Sequence, residues 1–210
     1  MFEQRILRRR WLALAVLLAV SVALGSGSET RPTTIYIVRH AEKDRSDPVD
    51  PTITAAGRER AKILSQTLRS VPLAAIYATE LKRTQETVKP TAERTGIVPK
   101  IIERANVEEL VARLQNDHAG QSVLVAGHSH SVPGLLAALG VNEKVYLGSA
   151  DYDRLFVVIH RGGESPLLLR LHYGAFTEGK GRGPRRGPRS RNKRAKQEKD
   201  PNTNTNATPR

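Results

Sequence analysis

Short apolar runs alternate with longer, periodically apolar segments between residues 33 and 172. The short runs are rich in β-branched residues and predict strands, whereas an apolar residue at every third or fourth position predicts a helix. Strands that alternate with helices are typical of an α/β domain. The predicted strands are 34–38, 74–78, 98–102, 122–126, 155–160 and 167–172, and the predicted helices are 55–70, 81–95, 107–116 and 133–139.

Local signals mark where several of these elements begin and end. Thr54 precedes the first helix as an N-cap residue, Pro72 lies after it, and Gly96 stops the second helix. The run 123–125 is apolar without alternation, as expected of a strand that is buried on both faces. We therefore predict a three-layer α/β/α fold with a mostly parallel central sheet.

The N-terminal segment has the layout of an export signal. A short basic region ends at 8–10, an apolar run covers 11–24, and small residues follow at 25–28. The apolar run is shorter than the roughly 20 residues of a typical membrane span. We predict an exported protein, periplasmic or extracellular, in which residues 1–30 are either a cleaved signal peptide or an N-terminal membrane anchor.

Charge divides the rest of the chain into a domain and a tail. The net charge is +13, but 11 Lys and Arg residues against three acids lie in 178–210, whereas 31–177 is close to neutral. The tail contains almost no apolar residues, so we predict that it is disordered. It is either a solubilising extension or a weak contact for polyanions and anionic membranes. It has no aromatic residues for base stacking, so no specific nucleic-acid partner is expected.

Chemically active side chains follow three of the predicted strands. The pair Arg39-His40 ends the first strand, Arg83 begins the helix after the second, and His128 follows the fourth. Ligands of open α/β sheets bind beyond the carboxyl ends of the strands, so these side chains are expected to converge. The guanidinium group of arginine binds phosphate oxygens through paired hydrogen bonds, and a neutral imidazole can attack phosphorus. The chain has no Cys, which excludes a cysteine nucleophile.

Four segments in this order resemble the histidine phosphatase superfamily, the phosphoglycerate-mutase-like proteins. The first, 38–43, is similar to the Arg-His-Gly signature of that family. The segments 53–61, 76–87 and 125–129 are similar to its Leu-Thr-x-x-Gly, Ser-x-Leu-x-Arg-x-x-Gln-Thr and Gly-His-Ser motifs. The compact length, without a large insertion, looks most like the short SixA-like phosphohistidine phosphatases and their exported relatives.

The resemblance implies a role for each matching residue. His40 would be the nucleophile that becomes phosphohistidine, while Arg39, Arg83 and His128 would bind the phosphoryl group, with no metal and no organic cofactor. For the acid that protonates the leaving group, Glu103 is the first candidate and Glu108 the second, and a third alternative is that no such acid is present, as in some short members of the family. The substrate would be a phosphorylated small molecule or protein. Loops 44–51 and 142–153 are expected to shape the selectivity of the pocket.

Two residues depart from the family pattern. Ala41 replaces the signature glycine, which would carry a penalty if the backbone there had a positive φ. His130 is an additional histidine that either tunes His128 or lines the mouth of the pocket. A metal site on His128 and His130 is disfavoured because alternate residues at a strand end diverge and no third ligand is suitably spaced.

Two other functions stay open at this stage. One is phosphoglycerate-mutase-type phosphoryl transfer within the same fold, which the short chain disfavours. The other is a non-catalytic, phosphate-binding envelope module, which retention of both arginines and both histidines disfavours. The expected activity is hydrolysis of a phosphomonoester or phosphohistidine through a covalent intermediate on His40.

Overall fold

A computed structural model describes residues 31–161 and 163–177 of the chain. The predicted signal or anchor at 1–30 and the basic tail at 178–210 lie outside the described residues. Within the described ranges, no helix is both long and apolar enough to cross a membrane.

A six-stranded mixed sheet forms the centre of the fold. Its strand order is β3-β2-β4-β1-β5-β6. The pairs β1–β4, β2–β4 and β2–β3 are parallel, whereas β1–β5 and β5–β6 are antiparallel. The strands are β1 (Thr33–Arg39), β2 (Leu73–Thr79), β3 (Lys100–Ile102), β4 (Ser122–Gly127), β5 (Arg154–His160) and β6 (Leu167–His172).

Within the described part of the chain, four helices cover the two faces of this sheet. Two separate hydrophobic clusters join the helices to the strands. One cluster contains the helical residues Leu64 and Val88, together with Leu68, and the other contains Leu114 and Leu136. This arrangement confirms the predicted α/β fold, with helices on both faces of a mostly parallel sheet. The helices are α1 (Ala55–Thr67), α2 (Lys82–Thr95), α3 (Val107–Asn116) and α4 (Ser131–Ala138).

Most predicted element limits agree with the structure, and the predicted N-cap and stop residues act as expected. The Thr54 hydroxyl accepts a hydrogen bond from the Gly57 amide at 3.1 Å, and Gly96 ends α2 in the left-handed region at φ 71°. The third strand begins at Lys100 instead of residue 98. Pro99 has no N–H to donate to a strand ladder, and Val98 is 82% exposed.

Two helices also differ from the sequence prediction at one end. Helix α1 ends at Thr67 because the following residues form tight turns, in which the Val71 amide donates to the Leu68 carbonyl. Helix α4 starts at Ser131, two residues before Pro133. A proline is tolerated in a first helical turn because the N–H groups there have no partner within the helix.

The three adjacent parallel strands determine where the functional side chains meet. Arg39 at the end of β1 pairs with Gly127 at the end of β4, and the His40 amide donates to the Gly127 carbonyl at 2.9 Å. Strand β2 lies on the other side of β4 in parallel register. The residues that follow β1, β2 and β4 therefore lie at one edge of the sheet.

Candidate active site

His40 is buried immediately after β1, with 4% of its surface exposed. Its Nδ1 lies 2.7 Å from the Ala41 carbonyl oxygen. A carbonyl oxygen can only accept, so Nδ1 carries the proton, and Nε2 of the neutral ring keeps its lone pair. Burial lowers the pKa of His40 to about 3. The hydrogen bond to the Ala41 carbonyl opposes this shift, whereas the positive charges of Arg39 and Arg83 add to it. The ring is therefore neutral at pH 7 and can act as a nucleophile.

Ala41 fits the position where the family signature has glycine. The residue is fully buried and packs with Ile53 and Ala61. No non-glycine residue in the described ranges has a positive φ, so the methyl group meets no penalty of that kind. The Ala41 amide donates to the Thr87 hydroxyl at 2.8 Å, and that hydroxyl donates to the Arg83 carbonyl at 2.7 Å. Thr87 thereby connects the segment that contains His40 and Ala41 to helix α2.

Arg39 and Arg83 supply buried positive charge near the His40 ring. They are 5% and 9% exposed, and each has a buried Nε without a hydrogen-bond partner among the described residues. Arg83 Nη1 lies 4.0 Å from Asp50 Oδ1, and Arg39 Nη1 donates to the Gly148 carbonyl at 2.8 Å. Burial lowers the pKa of both guanidinium groups, which remain protonated at neutral pH.

His128 faces the His40 ring from the end of β4. The two ring centroids are 5.4 Å apart with an interplanar angle of 59°. His128 is 1% exposed, and burial followed by the proximity of His40 and Arg83 lowers its pKa to about 3. Its Nε2 lies 3.0 Å from the Thr79 hydroxyl, whereas its buried Nδ1 has no partner within the described ranges.

A pair of threonines supports His128, and the sequence analysis missed both. The Thr79 hydroxyl lies 2.9 Å from the Thr84 hydroxyl, which donates to the Leu81 carbonyl at 2.8 Å. Thr84 is fully buried at the start of helix α2. The available signal was a threonine that ends an otherwise apolar strand beside the predicted site. Such a polar residue needs a partner when it is buried.

His130 and Tyr152 complete the surroundings of the two imidazoles. The exposed His130 ring stacks on His128, with centroids 5.3 Å apart and an interplanar angle of 12°. The Tyr152 ring lies 6.0 Å from the His40 ring, with Arg39 Cζ 4.1 Å from its centroid. Tyr152 was not singled out from the sequence, because only its loop, 142–153, was expected to matter.

The structure does not bring Glu103 into contact with the two histidines. Glu103 is exposed after β3, and its carboxylate makes no hydrogen bond or ion pair within the described part of the chain. It lines a cleft of about 30 Å³ together with Thr79 and Gly127, which neighbour His128. Glu108, in the first turn of α3, is also exposed. The role of either residue as an acid stays a prediction.

The remaining histidines have local structural partners or lie away from the site. His118 Nε2 is 2.9 Å from the Tyr77 hydroxyl, and its Nδ1 is 2.9 Å from Gln121 Oε1. His172 pairs with Asp153 at 2.7 Å. Within the described ranges, no three His, Asp or Glu side chains are grouped as metal ligands.

The arrangement is suited to a tetrahedral dianion. Two buried guanidinium groups provide charge and donors, one imidazole carries a free lone pair, and a second imidazole can donate once it is protonated. The helix after β2 and the helix after β4 also begin at this edge of the sheet, where their N-terminal amides favour anions.

Several solved structures share this fold. The protein histidine phosphatase SixA complexed with tungstate is 17% identical, with a TM-score of 0.56 over 66% of this chain and 96% of that chain. A mycobacterial glucosyl-3-phosphoglycerate phosphatase is 17% identical, with a TM-score of 0.54 over 70% and 100%. A SixA from Nakamurella multipartita, named there as a phosphohistidine phosphatase, is 20% identical, with a TM-score of 0.53 over 70% and 100%. These similarities show the fold.

A family model matches part of the sequence. No curated protein matches the chain significantly. Residues 35–106 match the family model described as the histidine phosphatase superfamily, branch 1. The matched segment contains Arg39, His40 and Arg83, and His128 lies beyond its end. The match covers about a third of the chain, and over that segment the chain is similar to the histidine phosphatase superfamily.

Proposed function

We propose that this protein is a phosphatase that hydrolyses a phosphomonoester or a phosphohistidine through a covalent intermediate on His40. The hydrogen bond from His40 Nδ1 to the Ala41 carbonyl carries the proposal, because it leaves Nε2 as the free nitrogen of a neutral ring. The buried Arg39 and Arg83 beside that ring supply the positive charge that a phosphoryl dianion requires.

The reaction consists of two in-line transfers. In the first, the Nε2 lone pair of His40 forms a bond to phosphorus, and the bond from phosphorus to the leaving oxygen or nitrogen breaks. The leaving group departs with that electron pair and takes up a proton. In the second, water attacks phosphorus, the bond to Nε2 breaks, and inorganic phosphate is released with the ring neutral again.

His128 is the residue best placed to respond to charge on the phosphoryl group. Burial holds the free ring neutral by lowering its pKa to about 3. A bound dianion favours the protonated form, so His128 would gain a proton on substrate binding and donate a hydrogen bond to a phosphoryl oxygen.

Proton supply to the leaving group separates the two substrate classes. An alkyl phosphomonoester needs an acid, and Glu103 is the proposed donor from its position on the cleft shared with Thr79 and Gly127. A phosphohistidine leaves as an imidazole and requires less assistance. Glu103→Gln should therefore slow hydrolysis of an alkyl phosphomonoester more than that of phosphohistidine. An equal decrease in the hydrolysis of both substrates would show that Glu103 is not the acid that protonates the leaving group.

The similarity to SixA supports the phosphohistidine class, and the tungstate in that structure is a tetrahedral oxyanion that resembles phosphate. The similarity to a glucosyl-3-phosphoglycerate phosphatase supports the monoester class. Hydrolysis rates on a panel that contains both a phosphohistidine and phosphomonoesters therefore test which substrate class the protein prefers.

The test of the function is phosphate release from p-nitrophenyl phosphate by wild type and His40→Ala. We expect the substitution to reduce kcat by about a thousandfold or more, as is usual when the nucleophile of a covalent mechanism is removed. His160→Gln is the matched control, since His160 lies on β5 with its ring only partly buried. Comparable activity of His40→Ala and wild type would rule out the mechanism.

We also propose that the protein is exported and works in the periplasm or outside the cell. The basic and apolar pattern of 1–30 supports this location. Cell fractionation with N-terminal sequencing of the mature protein distinguishes a cleaved signal from a retained anchor. Recovery of the uncleaved chain from the cytosol would contradict export.

A further inference from the structure

The loop before β5 holds the side chain of Arg39. Arg39 Nη1 donates to the Gly148 carbonyl at 2.8 Å and lies 3.5 Å from the Asp151 carbonyl. Both acceptors are backbone atoms, so the contact does not depend on the side chains at these two positions. The guanidinium of Arg39 is thus fixed from a segment far away in the sequence.

Tyr152 covers one face of that guanidinium. Arg39 Cζ lies 4.1 Å from the centroid of the Tyr152 ring, which is within the range of a cation–π contact. The same ring lies 6.0 Å from the His40 ring, with an interplanar angle of 57°. Tyr152 is therefore next to both the nucleophile and the adjacent arginine.

The loop is held in place by contacts of its own. The Gly148 amide donates to Asp151 Oδ2 at 2.8 Å, the Asp151 amide donates to the Gly148 carbonyl at 3.2 Å, and Asp151 is 6% exposed. The Tyr152 amide donates to the Thr177 hydroxyl at 3.1 Å. These bonds join protein groups only, so the backbone that carries Tyr152 is held without help from a ligand.

We propose that Tyr152 is a positioning residue that orients Arg39 for the phosphoryl group. With Nη1 bound to the loop and one face covered by Tyr152, Arg39 keeps a buried Nε without a partner among the described residues. In the proposal, that N–H finds its acceptor in a phosphoryl oxygen once a ligand occupies the site. The inference rests on the proposed function for its role in turnover, but its anion-binding part can be measured separately.

The test compares tungstate binding and p-nitrophenyl phosphate hydrolysis for wild type, Tyr152→Phe and Tyr152→Leu in the full-length chain. Tyr152→Phe keeps the aromatic face and should bind tungstate within about twofold of wild type. Tyr152→Leu removes that face and should weaken tungstate binding about tenfold. It should also raise KM by a similar factor, with a smaller effect on kcat. Tyr146→Leu is the control, because Tyr146 is 83% exposed.

The outcomes separate the inference from the function. Unchanged tungstate affinity in a folded Tyr152→Leu variant overturns the positioning role, even if the wild type is an active phosphatase. Tungstate binding that depends on Tyr152, in a wild type without hydrolytic activity, supports the inference and refutes the proposed function. If Tyr152→Leu does not fold, Thr177→Val replaces it, since Thr177 holds the Tyr152 amide. Wild-type affinity in that variant would then overturn the inference.

Discussion

Burial determines the protonation state of the two facing imidazoles. His40 and His128 are 4% and 1% exposed, their centroids are 5.4 Å apart, and two arginines lie nearby. In this environment a positive ring would lose its hydration and meet positive neighbours, so both rings stay neutral. Neutral rings suit a site that must present a lone pair to an incoming dianion.

The lowered pKa values predict acid-sensitive stability. The folded-state pKa of His40 and of His128 is about 3, below the ordinary 6.5, so the unfolded state binds more protons between these values. Stability should therefore fall as the pH decreases from 6.5, with each histidine contributing a slope of at most about 1.4 kcal/mol per pH unit. Denaturant titrations of wild type, His40→Gln and His128→Gln measure these slopes. A wild-type slope no steeper than that of the variants would contradict the lowered pKa values.

Thr79 is predicted to affect the orientation of His128. Its hydroxyl lies 3.0 Å from His128 Nε2, so Thr79→Val leaves that nitrogen without its partner while the side-chain size is kept. We expect kcat on p-nitrophenyl phosphate to fall about tenfold to a hundredfold, and Thr79→Ser to restore most of the loss. Steady-state kinetics measure this effect. A Thr79→Val variant with wild-type kcat would show that the bond has no role in turnover.

At the scale of elements, helix α1 packs closely against the segment that follows His40. A Cβ placed on Gly57 would lie 2.6 Å from the Glu42 carbonyl oxygen and 2.9 Å from Ile53 Cβ. Gly57 lies in the first turn of α1, and Glu42 follows the segment that contains His40. Close backbone contact at this glycine thus keeps the helix against the segment that contains Glu42.

The same substitution in two helices should have opposite effects on stability. Gly57→Ala introduces the close contacts described above and should destabilise the fold by about 1–3 kcal/mol. Gly134 in α4 has no described atom within 4 Å of its virtual Cβ. Gly134→Ala should therefore stabilise the helix by about 0.5–1 kcal/mol. Thermal unfolding of both variants tests the pair, and equal changes in the midpoint would refute the packing argument.

Periodicity and strand-end chemistry predicted the elements and the four residues that the structure brings to one edge. The limits of β3 and α4 were misjudged because the effects of Pro99 and Pro133 depend on position within an element. Tyr152 could not be predicted, since its contact with Arg39 joins segments separated by more than a hundred residues. A contact of that kind depends on tertiary packing, which local pattern does not encode.

At the scale of the whole molecule, the net charge is unevenly distributed along the sequence. Residues 31–177 are nearly neutral, and 178–210 carry most of the net positive charge. The buried arginines of the site act at short range, whereas charge in solvent is screened beyond about 10 Å at 0.1 M salt. We therefore expect the tail to influence association with polyanions and to leave the chemistry unchanged.

Replacing the Lys and Arg residues of 178–210 by Gln in the full chain tests this separation. Hydrolysis of p-nitrophenyl phosphate should stay within about twofold of wild type, because the substrate is small and the tail charge is screened. Retention on vesicles of anionic lipid should decrease, since each basic residue near such a surface contributes about 1 kcal/mol. Vesicle sedimentation at low and high salt measures retention. Unchanged retention of the protein on these vesicles would contradict the membrane contact and favour the alternative that the tail is a solubilising extension.

The central claim is that His40 carries the phosphoryl group during turnover. Rapid quenching of the reaction into alkali, followed by peptide mapping by mass spectrometry, identifies the phosphorylated residue. We predict a phosphoryl group on His40 at a level that follows turnover, with none in His40→Ala. Phosphorylation of a different residue, or continued turnover without a covalent intermediate, would contradict the account.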